Sequence, residues 1–99
     1  MTPLEYLERV REEKHCYVCM KKTKIEPPHI DQIGMGRNRK KELQEHYSAI
    51  PVCRPCHQEY HKVGKETFEF KYGVSAYELV YDAISKILYE NYKQNQETI

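Results

Sequence analysis

Apolar residues recur at helical spacing near the two ends of this chain, and the middle lacks that rhythm. Leu4, Leu7 and Val10 stand three apart with Tyr6 beside them. Thr2-Pro3-Leu4-Glu5 precedes the stripe with a hydroxyl N-cap, a proline where no helical amide bond is lost, and a Glu placed to bond back to the cap. The spacing predicts a helix over residues 3–13. At the far end, Leu79, Val80, Ala83, Ile84, Ile87 and Leu88 recur at three- and four-residue intervals behind a second capping signature, Ser75-Ala76-Tyr77-Glu78. A final helix from about 75 to 92 follows, with a frayed tail beyond it.

Between these helices, Pro27-Pro28 forces extended backbone, and Gly34 and Gly36 mark turns, so residues 16–52 are expected to form turns and short strands. Arg54 to Lys62 is polar and is interrupted only by Pro55 in its first turn. It predicts a short helix ending before Gly64. A further short helix over residues 66–72 would be closed by Gly73 in the left-handed conformation. With 99 residues, the chain has room for one core and not two, so residues 1–99 read as a single domain. A small α+β fold is expected.

The composition changes this picture through the placement of charge. The net charge is only +1. Between residues 20 and 41, however, Lys21, Lys22, Lys24, Arg37, Arg39, Lys40 and Lys41 face only Glu26 and Asp31, whereas from Glu66 onward six acids face three lysines. Positive charge gathered in one stretch is what a phosphate backbone selects, although a solvated loop carries the same pattern. No apolar run approaches the ~20 residues that a membrane span needs, and the first residues lack the order of a secretory signal. The expectation is a soluble, intracellular protein with no membrane partner.

The four cysteines form two C-x-x-C pairs, Cys16/Cys19 and Cys53/Cys56. A tight turn across two residues points both sulfurs at one centre, and two such turns complete a tetrahedron suited to Zn²⁺. With every position filled by thiolate the zinc would be structural, holding a middle region too polar to fold alone. Disulfides or free thiols are the other readings, and a redox pair is a third. The absence of a secretory signal weighs against the first, and the absence of a βαβ pattern against the redox pair.

A closed zinc site accounts for none of the nearby histidines. His29 opens His29-Ile30-Asp31 ten residues past Cys19, His57 follows Cys56 directly, His61 shares a helix face with it, and His46 lies in the intervening stretch. Here the sequence resembles the HNH nucleases in their zinc-stapled form, and more closely the small HNH proteins of bacteriophages and prophages. The resemblance rests on Pro28-His29-Ile30-Asp31 through Lys41 and on Pro51-Val52-Cys53-Arg54-Pro55-Cys56-His57 through Gly64, and spans roughly residues 16–72. It implies a ββα-metal (His-Me finger) core with a structural zinc on the four cysteines, flanked by N- and C-terminal helices.

The resemblance further implies an endonuclease that hydrolyses DNA phosphodiester bonds in the cytoplasm of a bacterial host, with a Mg²⁺ or Mn²⁺ ion on the scissile phosphate. It assigns His29 as the general base and His57 as a ligand of that ion, leaving a 5′-phosphate and a 3′-hydroxyl. The residue before the base is commonly a metal ligand in that family, and here it is Pro28, so Asp31 or His61 would substitute. The family's middle asparagine position is Ser48, with His46 taking part of its role. The reverse assignment, His29 as ligand and His46 as base, is the alternative. Arg37, Arg39, Lys40 and Lys41 would grip DNA phosphates. Two other classes compete: a non-catalytic, zinc-stapled DNA-binding module, and a partner-binding protein. In the latter, Tyr77, Tyr81, Tyr89 and Tyr92 of the last helix either line a homodimer surface or cover the core, and core cover is the expectation.

Overall fold

A computed structural model describes residues 1–30 and 44–97. Asp31, Arg37, Arg39, Lys40 and Lys41 lie outside the described residues. Within them the chain is a small α+β fold of four helices and a two-stranded sheet. The order is α1 (Pro3–Arg11), β1 (Ile25–Glu26), a 3-10 helix (Gln44–Ser48), β2 (Val52–Cys53), α2 (Arg54–Val63), α3 (Lys65–Tyr72) and α4 (Ala76–Glu97).

Helix α1 starts as its sequence requires. The Thr2 hydroxyl accepts from the Glu5 amide, and the Glu5 carboxylate accepts from the Thr2 amide at 2.9 Å. It ends at Arg11, two residues before the expected limit, and its buried residues are Tyr6, Leu7 and Val10. Leu4 is only half-buried, so Tyr6 takes the place the spacing gave to Leu4. These three pack with Ala49 and with Ile87 of α4 in one apolar cluster. The 3-10 helix, in a stretch read as turns and short strands, packs against α1, with His46 fully buried.

Strands β1 and β2 pair antiparallel, with Ile25 opposite Cys53 and Glu26 opposite Val52. An isolated antiparallel bridge between His29 and Ala49 continues the pairing direction. Helix α2 begins at the residue after β2, with Cys53 at its N-cap position and Pro55 in its first turn. Gly64 (φ 86°) joins α2 to α3, and Gly73 (φ 64°, ψ 35°) closes α3 in the left-handed conformation. A second apolar cluster gathers Cys16, Ile25, Ile50, Val52, Cys53, Cys56, Phe68 and Leu79.

Helix α4 runs through the segment expected to fray and reaches Glu97. Ala76, Leu79, Ala83 and Ile87 form its buried face, three or four residues apart. Its tyrosines do not cover the core. Tyr77, Tyr81, Tyr89 and Tyr92 are each more than half exposed, and Leu88 turns outward with them. Among the described residues no helix is long and apolar enough to cross a membrane.

Candidate metal and histidine site

The first C-x-x-C pair sits on a tight turn built by the backbone. The Met20 amide donates to the Cys16 carbonyl and the Cys16 amide to the Lys21 carbonyl, both at 2.9 Å, and Met20 takes a left-handed φ of 64° to make the reversal. The amides of Val18 and Cys19 both point at the Cys16 sulfur, 3.4 Å away. The second pair straddles the junction of β2 and α2, so the Ile25–Cys53 register carries it to the first.

All four sulfurs lie within 4.8 Å of one another. Cys19 Sγ and Cys53 Sγ are 3.7 Å apart, far beyond a disulfide bond of ~2.0 Å. That separation matches the edge of a tetrahedron with metal–sulfur bonds of ~2.3 Å, which is about 3.8 Å. The quartet could therefore hold a metal such as zinc. Its electrostatics point the same way. Burial acts to raise the Cys16 thiol, but the backbone amides of Cys19, Cys53 and Val18 outweigh it and bring the group to about 7. Cys53 and Cys56 are pushed up, first by burial and then by sulfurs facing sulfurs. As thiolates, four sulfurs at this spacing would need a cation between them, which a divalent ion could supply.

Four of the five histidines fall into two pairs. Nε2 of His29 lies 2.8 Å from Nδ1 of His46, the rings tilted at 59°, and both residues are almost completely buried. Backbone bonds from Ile50 to Pro28 and from Ile30 to Ser48 set this pair between the hairpin and the 3-10 helix. The second pair is on α2. His57 and His61, one turn apart, bring their Nε2 atoms to 2.9 Å at the surface. Two cis nitrogen ligands on one ion at ~2.1 Å would stand about 3 Å apart, so the same two atoms could serve one divalent ion.

A residue that sequence reasoning passed over completes this second pair. Glu26 Oε1 accepts from His57 Nδ1 at 2.8 Å, while its Oε2 accepts from Arg54 Nε at 3.0 Å. These two bonds, His57 first, hold the Glu26 carboxyl below its ordinary range. The signal was absent from the sequence because Glu26 and His57 are 31 positions apart and meet only through the strand pairing. Nearby, Thr23, Lys24, Glu26, Arg54 and Pro55 line a cavity of about 340 Å³. Lys21, Lys22 and Lys24 are exposed ahead of β1, as is Arg54 at the start of α2.

A family model described as "Protein of unknown function (DUF968)" matches residues 2–89. No curated protein and no solved structure matches the chain. This corrects the likeness to HNH nucleases. The matching model is a different one, and it takes in α1 and most of α4, which that likeness left outside. The strands also pair over only two residues each, so what the structure establishes is the α+β fold and the cysteine quartet.

Proposed function

Since the chain belongs to the DUF968 family of proteins of unknown function, its activity has to be read from its own side chains, and from them we propose a metal-dependent endonuclease acting on DNA phosphodiester bonds. The convergence of His57 Nε2 and His61 Nε2 at 2.9 Å on a half-exposed helix face carries this reading. In it, Cys16, Cys19, Cys53 and Cys56 hold a structural Zn²⁺ that pins the hairpin to α2, and the imidazole pair holds a second divalent ion. Imidazole donors suit transition metals better than Mg²⁺, which favours Mn²⁺ or a neighbouring ion over magnesium. Such an ion supplies charge neutralisation at the phosphate and at the departing 3′ oxygen.

The chain's own groups do the rest. Lys24 and Arg54 line the cavity beside Glu26, and with the exposed Lys21 and Lys22 they would bind phosphates without reading sequence. The basic run Arg37, Arg39, Lys40 and Lys41 would extend that grip. The His29–His46 pair is the proposed proton acceptor, because an imidazole bonded through one ring nitrogen to another imidazole is held in one orientation. A water oxygen forms the new bond to phosphorus, its proton passes to the imidazole, and the bond to the 3′ oxygen breaks. Cutting both strands would need two chains, and the exposed tyrosines of α4 are the surface offered for that homodimer.

The burial of His29 and His46 favours a second reading, a non-catalytic zinc-stapled DNA-binding module. Supercoiled plasmid separates the two. The protein is expected to nick it with Mn²⁺, and His57→Ala or His29→Ala to lower the rate at least ~100-fold, the scale of lost general-base catalysis. Retardation of DNA with no nicking under Mg²⁺, Mn²⁺, Ni²⁺ or Zn²⁺ would replace the nuclease with the module.

A further inference from the structure

We propose that Glu26 is the positioning residue of the His57–His61 pair, fixing His57 in the tautomer that presents Nε2 to an ion; this rests on reading that pair as a metal site. A carboxylate only accepts hydrogen bonds. With Glu26 Oε1 2.8 Å from His57 Nδ1, the proton sits on Nδ1, and the Nε2 lone pair faces His61. Metal-binding imidazoles are characteristically held this way, by an acceptor on the ring nitrogen remote from the ion.

Glu26 orients and does not ligate. Among the described residues, the cysteine quartet is the group of three or more ligand-type side chains that could hold an ion, and Glu26 with His57 and His61 is not one. Its contact is to the far side of the His57 ring. Both carboxylate oxygens are engaged separately, one by His57 and one by Arg54, so the plane of the group is set. Arg54 is largely exposed and adds little by itself.

The placement comes from the hairpin. Glu26 follows Ile25, whose partner in the register is Cys53, and Arg54 and His57 flank Cys56 in the first turn of α2. The Ile25–Cys53 register thus sets where Glu26 meets His57, and it joins the histidine pair to the cysteine quartet. The histidine site is expected to lose its tautomer preference whenever that register slips.

The test uses the full chain with metal on the cysteine quartet, verified by metal analysis of each variant. Two-dimensional ¹⁵N spectra of the imidazoles read the His57 tautomer directly, and Mn²⁺ titration followed by electron paramagnetic resonance reads the affinity of the second site. Wild type is expected to show the Nδ1–H form of His57. Glu26→Ala is expected to mix the tautomers and to weaken Mn²⁺ binding about 10- to 100-fold, the usual loss when such a partner is removed.

The isosteric Glu26→Gln keeps a neutral acceptor and is expected to restore the Nδ1–H tautomer with an intermediate affinity. It also decides the matter if the alanine variant does not fold, because affinity equal to wild type in Glu26→Gln would overturn the proposal. An unchanged tautomer in Glu26→Ala overturns it outright. The two readings fail separately. A Glu26-dependent tautomer in a protein that never cuts DNA removes the nuclease and leaves the positioning role. A wild-type chain that binds no Mn²⁺ removes the metal site, and the tautomer still decides whether Glu26 orients His57.

Discussion

Glu13 shows how one residue ties separate parts of this chain together. It is buried at the end of α1, where it accepts from Lys86 of α4, from the Tyr17 hydroxyl and from Arg9. Burial acts to raise its carboxyl, and these three partners with the charge of Lys86 outweigh that and hold it at about 2. A folded-state value depressed below the unfolded 4.5 means that the stabilisation is complete above pH 4.5 and is lost as pH falls toward 2. The window is worth about 3 kcal/mol. Urea unfolding between pH 6 and 2 should show this loss in wild type and a flatter profile in Glu13→Gln, and equal slopes would mean that Glu13 is not the responsible group. Tyr6 and Tyr17 are pushed up, mainly by burial, so neither ionises in this range. At this scale the sequence named the ligand-type residues, Cys16, Cys19, Cys53, Cys56, His29, His46, His57 and His61. It did not reveal their partners, because Glu26 and Glu13 look like any surface acid until distant elements meet them.

Elements were legible wherever local chemistry alone decides them. The Thr2 capping box and the left-handed Gly73 are examples, because each depends on neighbours within a few residues. A Cβ at Gly73 would meet nothing within 4 Å, so Gly73→Ala carries backbone strain alone. It should cost about 1 kcal/mol, and Gly73→Asn less, by chemical denaturation. A loss of several kcal/mol from Gly73→Ala would indicate a crowded site instead. Contacts between helices were less legible. Ile87 is 1 % exposed and packs on Tyr6, Leu7 and Val10, so Ile87→Ala should cost about 2–5 kcal/mol, while the same change at exposed Leu88 should cost under about 1. Sequence periodicity placed both residues in one stripe, and only the packing of α1 against α4 separates them.

At the scale of the molecule, the described residues join two apolar clusters, one around the cysteines and one between α1, Ala49 and α4. Strand pairing of two residues per strand is too short to be stable alone, so the cysteine quartet is the expected source of order in the first cluster. Removing metal with a strong chelator, or substituting Cys53→Ser, should lower stability by several kcal/mol and abolish near-ultraviolet dichroism. Equimolar Zn²⁺ should restore the chelated protein. A melting curve indifferent to the chelator would show that the quartet does not staple the fold. The exposed tyrosine face of α4 predicts association between copies, which sedimentation of wild type against a Tyr77→Lys/Tyr81→Lys variant would detect as a concentration-dependent shift present only in wild type.

By itself the sequence determined whatever repeats or closes over a short distance: the four helices among the described residues, with the Thr2 cap and the Gly73 stop, two cysteine pairs, and the segregation of charge along the chain. Hydrogen bonds within a turn and thiolate spacing in a C-x-x-C are local, so the order of residues suffices to specify them. The tertiary structure decided which histidines pair, that Glu26 holds His57, that Tyr6 displaces Leu4 from the core, and that the α4 tyrosines face outward. Each of these depends on elements brought together across a long stretch of chain, where register and packing choose among side chains of equal local merit.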